Sequence, residues 1–86
     1  MDDLVEESAR LFRNGEFQKS AGVAERAVHV NPSDPRAYNN LCAAFNALGQ
    51  WDRAIEAGRM AVRLDPSNGL ARNNLAWARS HASPPP

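Results

Sequence analysis

The chain of 86 residues is long enough for one small domain, and its ten basic residues balance its ten acidic residues. A formal net charge of zero excludes strong non-specific attraction to nucleic acid or to an anionic membrane surface. The single cysteine, Cys42, excludes an internal disulfide and any metal site built from several cysteines.

Helical periodicity predicts five helices in chain order. The predicted segments cover residues 4–14, about 18–30, 35–48, about 52–64 and about 69–81. Glycines are expected to end the first and third segments, at Gly15 and Gly49. Prolines stop the second and fourth segments, at Pro32 and Pro66. Residues 83–86, Ser-Pro-Pro-Pro, are predicted to form a disordered, extended tail.

The chain contains an internal repeat. Residues 27–33 read AVHVNPS and residues 61–67 read AVRLDPS, a step of 34 positions. The same step carries residues 39–41, Asn-Asn-Leu, onto residues 73–75. A period of this length indicates helical units that stack on one another.

The repeated unit resembles the tetratricopeptide repeat, a 34-residue helix–turn–helix with the pattern W-x₂-L-G-x₂-Y…A-x₃-F…P. Six places of this pattern are held in the second unit by Tyr38, Leu41, Cys42, Phe45, Ala54 and Pro66. The aromatic place of the second helix is held instead by Gly58, and by Ala24 in the first unit. The resemblance implies an all-α fold, a right-handed superhelix of antiparallel helix pairs with five helices. It also implies a role in binding proteins or peptides.

This register predicts one tetratricopeptide-repeat domain over residues 1–82. Repeat 1 covers about 2–33, repeat 2 about 36–67, and a capping helix about 69–82. The stripe of the first helix that would meet a preceding unit is polar, and it consists of Asp3, Glu7, Arg10 and Asn14. The matching outer stripe of the last helix consists of Arg72, Ala76 and Arg79. Polar outer stripes are typical of terminal repeats.

The sequence offers little catalytic chemistry. His29 and His81 have no carboxylate or cysteine at a metal-ligand spacing, and no glycine-rich phosphate loop is present. Cys42 falls at a small-residue place between helices, which favours a buried, inert thiol. We therefore predict that the chain is not an enzyme and has no cofactor or metal.

The first helix of each unit is expected to line a concave groove. The candidate peptide-binding residues are Asn40, Asn74, Trp77, Asn39, Asn73, Phe12 and Arg36. Asn40 and Asn74 hold equivalent places, and stacked carboxamides are able to grip a peptide backbone. This is similar to the asparagine ladder of O-linked N-acetylglucosamine transferase. In the alternative interpretation, these asparagines bond between neighbouring helices and hold the stack together.

Trp77 also has two interpretations. The second unit has Ala43 at this place, so the repeat does not demand a bulky aromatic residue there, and tryptophan is a common interface anchor. Alternatively, Trp77 folds over the last helix pair and fills the space left by Gly58.

A known use of this fold is a carboxylate clamp for the acidic C-terminal tails of chaperones. The five places of that clamp read Val5, Ala9, Asn40, Leu70 and Asn74, and none of them carries a positive charge. Only Asn40 agrees with the pattern. We therefore expect no high-affinity binding of such tails.

The leading hypothesis is a small interaction module that binds an extended peptide or a partner helix in its groove, with a protein or peptide partner and no nucleic acid. Two alternatives remain: a spacer that self-associates weakly, head to tail, through its oppositely charged ends, and an accessory recognition domain of a larger enzyme or membrane protein.

The sequence also suggests a location. The acidic start, Met1-Asp2-Asp3, is unlike a secretory signal, and no apolar run approaches the roughly 20 residues that span a bilayer. We expect no direct membrane insertion and a cytoplasmic location by default. A periplasmic location applies if the chain is part of a longer exported or membrane protein.

Overall fold

The computed structural model describes residues 3–82, so the predicted tail over residues 83–86 lies outside the described residues. Five helices follow one another: α1 (Leu4–Arg13), α2 (Phe17–Val30), α3 (Pro35–Ala47), α4 (Trp51–Leu64) and α5 (Gly69–His81). The described residues contain no strand, and the predicted all-α fold with five helices is confirmed. Two of the helices, α2 and α4, begin one residue earlier than expected, each at an aromatic residue.

Side-chain caps fix the starts of α1, α3 and α5. The carboxylate of Asp3 accepts hydrogen bonds from the backbone N–H groups of Val5 and Glu6, at 3.0 and 3.3 Å. Asp34 caps α3 through the N–H of Arg36 at 2.9 Å. Asn68 caps α5 in the same manner. These bonds satisfy amides that have no partner within their own helix. Asp3 therefore lies on the predicted outer stripe and also starts α1.

Glycines with a left-handed backbone end α1 and α3. The φ angles of Gly15 and Gly49 are +80° and +71°, a region that L side chains rarely adopt. At the first turn, the N–H of Glu16 donates to the carbonyl of Leu11 at 2.9 Å. Gln50 bonds to Phe45 in the same way at the second turn, also at 2.9 Å. These bonds satisfy backbone carbonyls in the last turns of α1 and α3, and the turns reverse the direction of the chain. The two helices of each pair are therefore antiparallel.

Small residues dominate the core. Ten of the fourteen buried hydrophobic residues among the described positions are alanines, and the other four are Leu41, Cys42, Phe45 and Leu75. Each helix packs on the next in sequence, and α3 also contacts both α1 and α5. The odd-numbered helices therefore stand side by side and form one face of the molecule.

Of the five glycines, Gly58 has the least room for a side chain. A Cβ atom at this position would lie 3.1 Å from the sulfur of Cys42 and 3.1 Å from two side-chain carbons of Leu75. The space that an aromatic residue fills in the family pattern is therefore occupied by α3 and α5, which approach the α4 backbone directly. Trp77 does not fill this space, because its side chain is 56% exposed.

A polar seam ties α1, α2 and α3 together. The Nδ2 atom of Asn40 donates to the backbone carbonyl of Val5 at 3.0 Å and to the hydroxyl of Ser8 at 2.9 Å. The hydroxyl of Ser20 donates to the carbonyl of Ser8 at 2.7 Å. Both serines are fully buried. The seam therefore satisfies polar groups that would otherwise be costly to bury.

The first prediction concerns Gly58. We expect Gly58→Ala to lower the free energy of unfolding by about 1 kcal/mol, since overpacking costs about 1–3 kcal/mol and the gain in helix propensity recovers only about 1 kcal/mol. Urea denaturation followed by circular dichroism measures the change. Gly22 provides the control, because it is an exposed residue of α2 with no atom within 4 Å of an added Cβ. Gly22→Ala should stabilise the protein by about 0.5–1 kcal/mol. Equal gains from both substitutions would contradict the close approach at Gly58.

The second prediction concerns the seam. We expect Asn40→Ala to lower the free energy of unfolding by about 1–3 kcal/mol, because two hydrogen bonds between α1 and α3 are lost and the acceptors on α1 no longer receive this amide donor. Asn73→Ala is the control, since Asn73 is exposed, and the expected change is within about 0.5 kcal/mol. The same denaturation experiment measures both. An Asn40→Ala variant as stable as the wild type would show that the seam contributes nothing.

Candidate functional site

A groove runs along the face formed by α1, α3 and α5. It consists of two depressions that share Phe12, Ala43 and Asn74. The polar half, of about 260 Å³, is lined by Ala9, Phe12, Arg13, Asn39, Asn40, Ala43, Leu70 and Asn74. The aromatic half, of about 370 Å³, is lined by Phe12, Ala43, Asn46, Ala47, Trp51, Asn74 and Trp77. A larger depression of about 600 Å³ is formed by the single stretch 49–53 and brings no distant residues together.

The asparagines of the polar half bond to neighbouring helices. Asn40 donates to α1, as described above, and Asn74 donates from α5 to the Oδ1 atom of Asn39 at 2.9 Å. Each bond reaches back 35 positions to an equivalent residue, although the acceptor is a backbone carbonyl at Val5 and a side-chain oxygen at Asn39. These amide donors therefore bond between helices, as in the alternative interpretation in which the asparagines hold the stack together. The Oδ1 atoms of Asn40 and Asn74 accept no hydrogen bond from residues 3–82, and each still has acceptor capacity.

Arg36 and Asn73 were predicted as site residues, but neither lines the groove. The guanidinium of Arg36 donates to both carboxylate oxygens of Asp34, at 3.1 and 2.8 Å. This contact holds the pKa of the Asp34 carboxyl below its ordinary value. Arg36 therefore bonds to the carboxylate that caps the start of α3. Asn73 is exposed on α5, next to the groove residue Asn74.

Three aromatic rings stack at the end of the aromatic half. The imidazole of His81 lies 4.8 Å from the Trp51 ring and 4.2 Å from the Trp77 ring, centroid to centroid. The Nδ1 atom of His81 is 2.8 Å from the carbonyl oxygen of Trp77, which can only accept, so Nδ1 carries a proton and donates. The His81 ring, on α5, therefore contacts both indoles. Phe12, at the boundary of the two halves, packs on Phe17 with a centroid distance of 5.1 Å.

The repeat register places Arg13, Leu70 and His81 on the concave face, although they were not among the candidate binding residues, and it missed Trp51. Trp51 holds the place of Phe17 in the repeat and falls one residue before the predicted start of the fourth helix. The spacing of Trp77 and His81, four positions apart on one helix, was the available signal that their rings meet. Arg13 is the one charged residue that lines the groove within residues 3–82. Leu70 is 61% exposed and forms the lip of the polar half.

The described residues that line the groove include no cysteine, histidine or carboxylate. Cys42 is fully buried, and burial raises the pKa of its thiol to about 11, so the reactive thiolate is scarce at neutral pH. His29 is exposed on α2, as expected. Residues 3–82 contain no cluster of three or more His, Cys, Asp or Glu residues placed to hold a metal ion. Within the same residues, no helix has the length and apolar character needed to cross a membrane.

The chain is similar to known proteins over most of its length. The family model of the tetratricopeptide repeat matches residues 7–69. The chain is 30% identical over 78 residues to the heat-shock protein cognate (HSC) co-chaperone sgt12 of Aspergillus fumigatus, covering 91% of this chain and 23% of the relative. It is 35% identical over 66 residues to the peroxisomal targeting signal receptor of Saccharomyces cerevisiae, covering 77% of this chain and 11% of the receptor.

A solved structure shows the same architecture. The first TPR domain of the human RPAP3 protein superposes with a TM-score of 0.86 and 26% sequence identity, over 91% of this chain and 61% of that chain. The chain spans only about 10 to 23% of the length of the curated relatives that it matches. The 34-residue period, the five helices and the family match agree, and the chain belongs to the tetratricopeptide-repeat family.

Proposed function

We propose that the chain is a small protein–protein interaction module that binds an extended peptide or a partner helix in the groove along α1, α3 and α5. The observation that carries the proposal is the groove itself, which gathers side chains from α1, α3, α5 and the start of α4 and exposes apolar surface along α5. Leu70 and Trp77 are 61% and 56% exposed there. Exposed large apolar residues around a groove are typical of binding surfaces.

The relatives support the same class of function. One is a co-chaperone and another is a receptor for a targeting signal, as their names state. Both are much longer than this chain, so their partners are not transferred to it. What we transfer is the role of the repeat as a non-enzymatic recognition unit, and the inert Cys42 thiol agrees with that role.

The third prediction tests the groove. Peptides selected from a random display library on the immobilised chain should bind with dissociation constants on the order of 10–100 µM, because so short a groove contacts few residues. Chemical-shift mapping should place the perturbed amides on α1, α3 and α5. Ala43→Glu should weaken binding about tenfold or more, because it puts a buried charge where the two halves join. Ala76→Glu, on the exposed outer stripe of α5, is the matched control and should leave affinity unchanged.

Two outcomes would contradict the proposal: perturbations confined to α2 and α4, or equal effects of the two glutamate substitutions. An acidic C-terminal chaperone peptide belongs in the same titration. Since the clamp places carry no positive charge, we expect no micromolar binding that depends on its terminal carboxylate.

A second candidate function is head-to-tail self-association through the charged ends. Asp3 is exposed at one end of the stack, and Arg72 and Arg79 are exposed at the other. Opposite charges of this kind favour heterologous docking.

The fourth prediction follows from this second candidate. Sedimentation velocity at low salt should show a mass above that of the monomer, falling as salt screens the charges. The double substitution Arg72→Glu and Arg79→Glu should abolish the increase. A monomer at every salt concentration would exclude self-association and leave the peptide-binding proposal intact.

A further inference from the structure

We propose that the partner segment is extended and carries two features: an acidic residue for Arg13 in the polar half and a proline for the indole rings of the aromatic half. This inference rests on the proposed function and specifies the chemistry of its ligand. It depends on the charges, ring contacts and hydrogen-bond donors of the groove walls.

The acidic residue follows from Arg13. This side chain is exposed near the end of α1 and is the one charged group that lines the groove within residues 3–82. The ion pairs of the described residues, Lys19–Glu16 and Arg36–Asp34, do not involve it. A groove with one unpaired guanidinium and otherwise neutral walls is complementary to a segment with a carboxylate at that point.

The aromatic half presents rings and hydrogen-bond donors. Its lining carries no charged residue, and the His81 ring contacts both indoles. Each indole has one N–H donor, and the hydrogen bonds within residues 3–82 use neither of them. Amide donors of this half are already bonded, since Asn46 donates to the carbonyl of Asn74 at 3.0 Å. The unbonded donors of this half are therefore the two indole N–H groups, while the Oδ1 atoms of Asn46 and Asn74 accept no hydrogen bond within residues 3–82.

Proline matches this surface better than other residues. A proline ring is flat enough to pack on an exposed indole face, and because proline has no backbone N–H it presents only acceptors to the indole donors. A proline-rich segment also holds an extended polyproline II conformation before it binds, so that it loses little conformational entropy. Its backbone carbonyls point outward and can accept from the indole N–H groups.

This ligand differs from the acidic tails of the carboxylate clamp. In the clamp, several positive residues of different helices hold a chain terminus. In this groove, a single arginine on α1 faces an internal acidic residue, and the aromatic half supplies a separate anchor. Arg13 lines the polar half, and the two indoles line the aromatic half; the two depressions share Phe12, Ala43 and Asn74.

The fifth prediction uses synthetic peptides with blocked termini and a fluorescent label. Each carries two adjacent acidic residues and a run of prolines, separated by about three neutral residues, in either order. Two variants replace the acidic pair by lysines or the prolines by alanines. Fluorescence anisotropy with the full chain measures affinity. One order of the acidic–proline peptide should bind most tightly, and loss of the acidic pair or of the prolines should weaken binding about fivefold or more.

Charge exchange tests the contact with Arg13. Arg13→Glu should weaken the acidic–proline peptide about fivefold and strengthen the lysine peptide, because the complementary charges are reversed. Arg26→Glu makes the same change on an exposed residue of α2 and should alter neither affinity. Arg13→Gln, which removes the charge only, should bring the two peptides to similar affinities.

The indole wall is tested separately. Trp77→Ala should weaken binding of the acidic–proline peptide about tenfold or more. It should leave the weaker binding of the alanine-substituted peptide nearly unchanged. The affinity of Trp77→Phe for the acidic–proline peptide should fall between those of the wild type and Trp77→Ala. Far-UV circular dichroism checks that each variant is folded.

Equal binding of the acidic and lysine peptides to wild type and Arg13→Glu would overturn the inference. So would equal binding of the proline and alanine peptides. If library peptides still mapped to the groove in that case, the proposed function would stand and only the assigned ligand chemistry would be wrong.

Discussion

Close approach of helix backbones through small residues is the constraint on which the rest of the structure depends. Most buried hydrophobic residues are alanines, so each contributes little apolar area, and the helices gain stability only if they come very near one another. Gly58 is the extreme case, where α3 and α5 touch the backbone of α4. The family pattern places an aromatic residue there. In this chain the helices approach one another closely instead, and the side chains of Cys42 and Leu75 occupy the space.

Proximity has a consequence for the groove. Because neighbouring first helices lie so close, the carboxamides of Asn40 and Asn74 reach the preceding helix and bond to it. Donors that were expected to hold a peptide backbone therefore hold the stack. The groove loses hydrogen-bond donors in its polar half, but its walls are fixed before a ligand arrives, which lowers the entropy cost of binding. What the polar half still offers is mainly acceptor oxygens and the guanidinium of Arg13.

Much of this was predictable from the sequence, for a physical reason. The 34-residue period fixes the register, and the register fixes which residues lie inside, so Cys42, at a small-residue place of the pattern, was correctly expected to be buried between helices. The caps at Asp34 and Asn68 follow from local chemistry alone. The partners of Asn40 were left open because the same side chain reaches either a ligand or a helix, and a shift of about 1 Å decides between them. The ring stack of Trp51, His81 and Trp77 depends on rotamers, which no periodicity specifies.

The electrical neutrality of the whole chain conceals a local pattern that matters for recognition. Within residues 3–82, exposed charges lie at the two ends of the stack and on α2 and α4, whereas Arg13 is the one charged residue that lines the groove. Because the net charge is zero, long-range attraction is weak, and a partner is selected at contact distance, where a single arginine and two indoles differ from their surroundings. The asparagines are repeated between units, whereas Arg13 and Trp77 are particular to their positions. A repeated feature serves the stack, and the residues that break the repeat are the ones able to distinguish one ligand from another.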